Sequence, residues 1–324
     1  SMNDLIERIF TIKTEEAFNK CALDVFAFQR EHVPVYQSYL SLVNRPTPTH
    51  YSEIPHLPIS FFKSHDIIAA NMKEQIRFLS SGTTGMERSK HPVADVSLYE
   101  RSFLPTYEHF VGPLNEQIVF ALLPNYVEQG NSSLIYMVEK LIAASNNELS
   151  GFYLTDFNAL EQAISLGKKA GKKCVLFGVS YALLDFADLK PDLQGVTIIE
   201  TGGMKGRRQE MTKEELHAAL CNGFNVSTIA SEYGMCELLS QAYSDEEGCF
   251  SLPPWMRFSL REVNDPFARV ASGKTGGVNI IDLANIYSCA FIETQDLGRN
   301  TDGKLKLMGR FDQSDVRGCN LLVS

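Results

Sequence analysis

The 324-residue chain has one tryptophan and no excess of basic residues: 30 Lys and Arg stand against 39 Asp and Glu, a net charge of −9. Nucleic-acid binding needs a basic face, so no nucleic-acid partner is expected. A single loop can still hold one phosphate. No run of 18 apolar residues occurs, so no membrane span is expected. The N-terminus lacks the basic start and long apolar stretch of a secretory signal. Seven cysteines lie far apart, at 21, 174, 221, 236, 249, 289 and 319, without a C-x-x-C pair. That excludes the common zinc and thioredoxin-like patterns and suggests a reducing, cytoplasmic setting. Seven scattered histidines without H-E-x-x-H give no transition-metal motif. Hydrophobic residues, by contrast, make up 44% of the chain, enough for a sizeable core in one large domain or two ordinary ones.

Apolar spacing makes residues 1–45 helical, and Pro46, Pro48, Pro55 and Pro58 mark an extended connector. Strand-like runs then alternate with helix-like runs. The strands are Gln75–Leu79, Ile118–Leu123, Cys174–Val179, Val196–Glu200 and Val226–Ala230. The helices are Val96–Phe110, Ser133–Ala144, Leu160–Ala170 and Lys213–Cys221, the last with a Thr212/Glu215 capping box. Continuous apolar strands between amphipathic helices indicate a buried, mostly parallel sheet. After residue 250 come short strands separated by Gly, Asn and Asp: Met256–Arg261, Val278–Asp282, Ala290–Glu293 and Leu305–Met308. The fold class expected is α/β: mostly parallel sheets flanked by helices, with a C-terminal antiparallel β subdomain.

The densest chemistry follows the first of these strands. Ser80, Ser81, Gly82, Thr83, Thr84 and Gly85 place four hydroxyls and two glycines in six residues. Backbone N–H groups and hydroxyls there can bind a phosphate, and the glycines permit close approach. The lysine of the P-loop is absent. Ligands of open α/β sheets bind beyond the carboxyl ends of strands, which suits this position.

A Ser/Thr/Gly loop followed by a basic residue resembles the phosphate loop of acyl-adenylate-forming enzymes. Four more segments follow in the order of that superfamily. Glu200-Thr201-Gly202-Gly203-Met204 closes a strand, and the resemblance implies that Gly202 and Gly203 lie flat against adenine. Ser231-Glu232-Tyr233-Gly234-Met235-Cys236-Glu237 resembles Y-G-x-T-E, implying adenine stacking by Tyr233 and a Mg²⁺ ligand in Glu237. Cys236 replaces the usual threonine and is a weaker donor. Glu293-Thr294-Gln295-Asp296 resembles T-G-D, with Gln295 in place of glycine, and implies that Asp296 holds the ribose hydroxyls. Gly309-Arg310-Phe311-Asp312 resembles the hinge G-R-x-D, with Arg310 reaching ribose or phosphate.

Over nearly its whole length the chain resembles, more narrowly, the acyl-protein synthetase family, the fatty-acid-activating subunits of bacterial luminescence fatty-acid reductases. Leu122-Leu123-Pro124-Asn125-Tyr126 with Gly130-Asn131-Ser132-Ser133-Leu134 carry this likeness. So do Leu176-Phe177-Gly178-Val179-Ser180, Glu237-Leu238-Leu239-Ser240-Gln241 and Arg317-Gly318-Cys319-Asn320-Leu321-Leu322. It implies ATP and Mg²⁺ as cofactors, a fatty or other carboxylic acid as substrate, an acyl-reductase partner, and acyl transfer to a cysteine. Cys319 is the internal candidate, with Arg317 favouring its thiolate, and Cys236 is the rival. Arg88 and Lys90 stand where the superfamily often has a lysine. The implied division is residues 1–60 as helical segment and connector, 61–250 as α/β adenylation core, 251–308 as β subdomain of that core, and 309–324 as hinge and short tail. The superfamily's C-terminal domain, with its catalytic lysine, is expected to be missing or vestigial.

Other readings compete. A CoA ligase of the phenylacetate type uses the same motifs with free coenzyme A as acceptor. A non-catalytic nucleotide-binding homologue would keep only the fold. Gly178-Val179-Ser180-Tyr181-Ala182 approximates a hydrolase elbow, with Asp185 and His217 downstream, but lacks its second glycine. Ala268–Thr275 approaches a P-loop, yet Gly276-Gly277 and a strand follow it, so a hairpin turn is expected.

Overall fold

A computed structural model of the chain describes residues 1–82, 87–203 and 206–311. The elements are, in order, α1 (Met2–Phe10), α2 (Glu15–His32), α3 (Pro34–Val43), β1 (Leu57–Pro58), α4 (Phe61–Ser64), β2 (Ile76–Leu79), β3 (Lys90–Val93) and α5 (Ser97–Phe110). Then come β4 (Gln117–Leu122), α6 (Pro124–Gln129), α7 (Ser133–Ser145), β5 (Gly151–Phe152), α8 (Phe157–Lys169), β6 (Lys173–Val179), α9 (Ser180–Ala187), β7 (Thr197–Thr201), α10 (Lys213–Phe224), β8 (Ala230–Tyr233) and β9 (Ala242–Ser244). The last are β10 (Cys249–Ser251), β11 (Met256–Glu262), β12 (Asp265–Arg269), β13 (Gly276–Asp282), β14 (Phe291–Thr301) and β15 (Lys304–Arg310).

The chain forms two compact units. The first comprises Ser1–Ser102, Met235–Gln241 and the chain from Cys249 on; the second comprises Phe103–Gly234 and Ala242–Gly248. In the second unit β5, β4, β6, β7 and β8 run parallel in that spatial order, and β9 adds antiparallel beside β8. Every residue of β4 is buried, which explains its unbroken apolar run. The helices start and stop on local chemistry. Ser132 and Asp156 cap α7 and α8, and the Thr212/Glu215 capping box opens α10. Asn146 and Asn225, in the left-handed conformation, end α7 and α10.

In the first unit β12, β11, β13, β14, β15 and β10 form an antiparallel array, with β1 parallel to β14. Buried residues of α2 recur at helical spacing (Phe18, Cys21, Ala22, Val25, Phe26, Gln29). The Gln29 amide donates to the carbonyls of Asn285 and Ile286 and accepts from Ala290 N–H, tying α2 to the turn before β14. The segment Ala268–Thr275 leaves β12 and leads into β13, but these strands pair with opposite edges of β11 and not with each other, so it is a connecting loop and not the hairpin turn expected of it.

Two further local expectations change. β2 is not a strand of the parallel sheet: it returns directly in β3 as a two-stranded antiparallel hairpin. The Ser/Gly loop is therefore a hairpin loop, not a strand-to-helix crossover. The return strand carries Pro92 and spans four residues, too little pattern to read from sequence. The strand sought at Val226–Ala230 lies at Ala230–Tyr233, because Val226 N–H still bonds Cys221 O at the end of α10. A turn at Cys236–Glu237 follows β8 and precedes β9. Asp296 lies inside β14, opposite Arg310 of β15.

Candidate active site

In the first unit the Ser/Gly loop is closed at its neck. Ser80 N–H donates to Ser89 O at 2.9 Å, and Ser89 N–H to Ser80 Oγ at 2.8 Å. Arg88 packs against the start of the loop: its Nε donates to Ser80 O at 2.5 Å, and a Cβ on Gly82 would lie 3.2 Å from its Cγ. Ser81 and Gly82 are half-buried, while Thr83, Thr84 and Gly85 lie outside the described residues. Lys90, opposite Leu79, lies 3.5 Å from Asp66, which Arg77 also binds. Of the two cations after the loop, Arg88 packs against Ser80 and Gly82 and Lys90 joins a surface ion-pair network.

The Cys236–Ser240 turn meets this hairpin and is clasped by three buried side chains. His91, on β3, donates from Nδ1 to Cys236 O at 2.7 Å, and its Nε2 receives Ser288 Oγ at 3.0 Å. A carbonyl only accepts, which assigns the ring proton to Nδ1. Burial holds this imidazole neutral, down at about 4, against the Cys236 bond. Asn285 Nδ2 donates to Glu237 O at 2.8 Å. Asp282 accepts from the N–H groups of Leu239 and Ser240 at 2.9 and 2.8 Å and from Ser240 Oγ at 2.6 Å. None of His91, Asn285 and Asp282 carries a local motif, so sequence reading passes over them.

Glu237 is 8% exposed, and burial pushes its carboxyl up to about 7; Arg310 opposes this and Asp296 adds to it. Asp296, also 8% exposed, lies 3.6 Å from Arg310, with its backbone N–H on Thr294 Oγ1. Glu237, Asp296 and Arg310 thus share one electrostatic environment. Cys236 Sγ faces Ser89 O at 3.9 Å, and burial, with Glu237 beside it, raises its thiol far above the usual range. Such a thiol is a poor nucleophile at neutral pH. Cys319 lies outside the described residues. Among the described residues no group of three or more His, Cys, Asp or Glu is set to hold a metal. A groove of about 550 Å³ along α2 and α3, lined by Arg30, Gln37 and Arg45, contains none of the candidate site residues.

In the second unit Gly202 and Gly203 follow β7, and Tyr233 and Gly234 end the neighbouring β8. Gly202 has φ +77°, and a Cβ there would stand 3.0 Å from Tyr126 Oη and 3.1 Å from Val179 Cγ2. Only glycine sits there without strain. Beneath it lies fully buried Glu200. It accepts from Lys213 Nζ (2.5 Å), Ser180 Oγ (3.0 Å) and Ser231 Oγ, with His217 Nε2 3.3 Å away. Burial alone would raise this carboxyl; Lys213 and these hydrogen bonds hold it down. Glu232, buried nearby, is raised to about 7 by burial, against a bond from Thr201 and aided by Glu200. Ser180, almost wholly buried, spends its hydroxyl on Glu200, and Asp185 binds Arg208. Ser180, Asp185 and His217 therefore make no hydrolase relay.

No family model and no curated protein matches the sequence. Solved structures do. A 2-hydroxyisobutyryl-CoA ligase in its postadenylation state aligns over 94% of this chain and 70% of its own, with TM-score 0.63 and 10% identity. The chain has the fold of the adenylate-forming ligases. Apo MatB from Rhodopseudomonas palustris aligns over 72% of this chain with TM-score 0.52 and 15% identity. The adenylation domain of a keto acid-selecting NRPS module aligns over 73% with TM-score 0.51 and 14% identity. The adenylate-forming fold here spans about half the length of these two proteins, 47% and 51%. No helix among the described residues is long and apolar enough to cross a membrane.

Proposed function

We propose that this protein activates a carboxylic acid with ATP and then passes the acyl group to a thiol. The carboxylate oxygen would attack the α-phosphorus, the bond to the bridging β-oxygen would break, and pyrophosphate would leave with its electron pair. A thiolate would then add to the carbonyl carbon and expel AMP. The single observation that supports this most is the gathering, within the first unit, of four segments far apart in sequence. The Ser80–Ser89 loop, the Cys236–Glu237 turn, Asp296 and Arg310 are joined through His91···Cys236, Cys236···Ser89 and the Glu237–Asp296–Arg310 charges.

In this reading the loop donors from Ser80 to Gly85 and Arg88 hold the phosphates, and Asp296 and Arg310 hold the ribose. Glu237 offers one hard oxygen donor, which fits Mg²⁺, an ion commonly held by one or two carboxylates plus substrate phosphates. Bound there, Mg²⁺ would neutralise charge on the leaving pyrophosphate. Positioning and charge neutralisation are the main demands of phosphoryl transfer, and these residue types supply both.

Following the family resemblance, a fatty acid is the first substrate to try and Cys319 the first acceptor. The buried, protonated thiol of Cys236 argues against that rival. ATP–pyrophosphate exchange screened across carboxylic acids tests the activation step. Exchange with at least one acid is expected, and absence of exchange with all of them, despite ATP binding, would leave a nucleotide-binding homologue. Labelled acid should remain on the protein as a hydroxylamine-sensitive adduct, lost in Cys319→Ser. Label retained by that variant rejects Cys319, and label passing to added coenzyme A instead makes the protein a CoA ligase.

A further inference from the structure

In the second unit two buried polar groups at one end of the sheet have hydrogen-bonding capacity that no described residue meets. The carboxyl ends of β4, β6 and β7 are adjacent: Leu122 pairs with Gly178, and Val179 with Thr201. Asn125 follows β4 as the second residue of α6, Tyr181 follows β6 as the second residue of α9, and Gly202 follows β7. Asn125 is 6% exposed and Tyr181 3%. Asn125 Oδ1 has no hydrogen-bond partner among the described residues, and the Tyr181 hydroxyl, which the Asn125 backbone N–H approaches, has no acceptor for its proton there. The Arg207 guanidinium lies over the Tyr181 ring at 4.9 Å.

Buried polar atoms are nearly always paired, and an orphan calls for an explanation. These two lie where open α/β sheets bind their ligands. They are also set apart from Tyr233, to which the resemblance gives adenine stacking. The order is β8, β7, β6, β4, with strands about 4.8 Å apart, so Tyr233 at the end of β8 and Asn125 at the end of β4 are separated by roughly 14 Å. A base stacked on Tyr233 leaves Asn125 and Tyr181 to the acid, with Gly202, against Tyr126, at the border of the two.

The geometry points to a carboxylic acid that carries a hydrogen-bond donor on its acyl portion, a hydroxyl or an amine, held by Asn125 and Tyr181. The inference rests on the acid-activating function above and narrows its substrate class. An amide oxygen only accepts, so Asn125 Oδ1 requires a donor. A phenol both donates and accepts, so one hydroxyl can serve both atoms. A plain alkyl chain in the same place would bury both atoms unsatisfied. That amounts to a preference of at least about tenfold for the substituted acid.

Two measurements on the full chain separate this inference from the function it rests on. Calorimetry compares binding of acids of equal carbon number with and without a hydroxyl or amino group. Pyrophosphate exchange with the same pairs reports activation. The wild type should bind and activate the substituted member at least about tenfold better, and Tyr181→Phe and Asn125→Leu should each cut that preference several-fold. Thermal unfolding of both variants checks that they fold. If only one folds, it carries the test, and if neither does, the wild-type preference decides. Equal binding of the pairs, as when water alone satisfies the two atoms, overturns the inference, and so does a preference unchanged in a folded variant. Discriminating binding without exchange sinks the adenylation reading and keeps the pocket. Exchange without discrimination does the reverse, and failure of both binding and exchange overturns both.

Discussion

Glutamine in place of Glu237 isolates the electrostatic tension at the Cys236–Ser240 turn. Burial lifts this carboxyl from 4.5 to about 7. At about 1.4 kcal/mol per tenfold change, keeping the ionised form inside costs the fold roughly 3 kcal/mol. The direction follows from proton binding. Between pH 4.5 and about 7 the native chain retains a proton that the unfolded chain has released, so stability falls as pH rises through that window and levels off above it. Glu237→Gln removes this titration. The variant should exceed the wild type by roughly 3 kcal/mol at pH 8, with the difference shrinking towards zero near pH 4.5. Urea unfolding of both proteins at several pH values measures it. The same carboxylate must lose its proton to take a cation. With ATP present, the Glu237-dependent part of Mg²⁺ binding should weaken about tenfold from pH 8 to pH 6 and vanish in the variant. A stability difference that ignores pH, or a variant less stable at pH 8, would refute the reasoning.

Arg310→Ala should raise the Glu237 midpoint and Asp296→Asn should lower it, because the first removes an attraction and the second a repulsion; the pH at which the Glu237→Gln difference half-develops reads both. Gly202→Ala forces a side chain into a left-handed backbone against Tyr126 and Val179, at about 1–3 kcal/mol. Its melting temperature and ATP affinity should fall, while Gly203→Ala, with open space around its Cβ, should change stability little. Asn285→Ala leaves the carbonyls of Glu237 and Cys289 without their Asn285 donor and should cost about 2–4 kcal/mol in urea unfolding. It should also slow pyrophosphate exchange more than an equally destabilising change on α10, if the clasp sets the Glu237 position.

Elements with a strong local signal were legible in the chain itself. The apolar runs that became β4, β6 and β7 and the Thr212/Glu215 cap of α10 depend on residues a few positions apart, and they emerged within a residue or two of their expected bounds. The β2–β3 hairpin did not, because a four-residue strand with Pro92 in it has no pattern of its own. The candidate site divides in the same way. Ser80–Gly85, Tyr233–Glu237, Asp296 and Arg310 stand out as motifs, since each is a short run with recognisable chemistry.

Their partners were decided by tertiary structure. His91 holds Cys236 across 145 residues, and Asn285 and Asp282 hold the same turn from 48 and 43 residues away. No local spacing encodes such pairs, because strand register and packing set them. The same holds for Arg88 packing against Ser80 and Gly82 while Lys90 turns to Asp66, and for the burial that silences the Cys236 thiol. The residue types were written along the chain, but their protonation and their neighbours depend on how much water and charge the folded chain leaves around them.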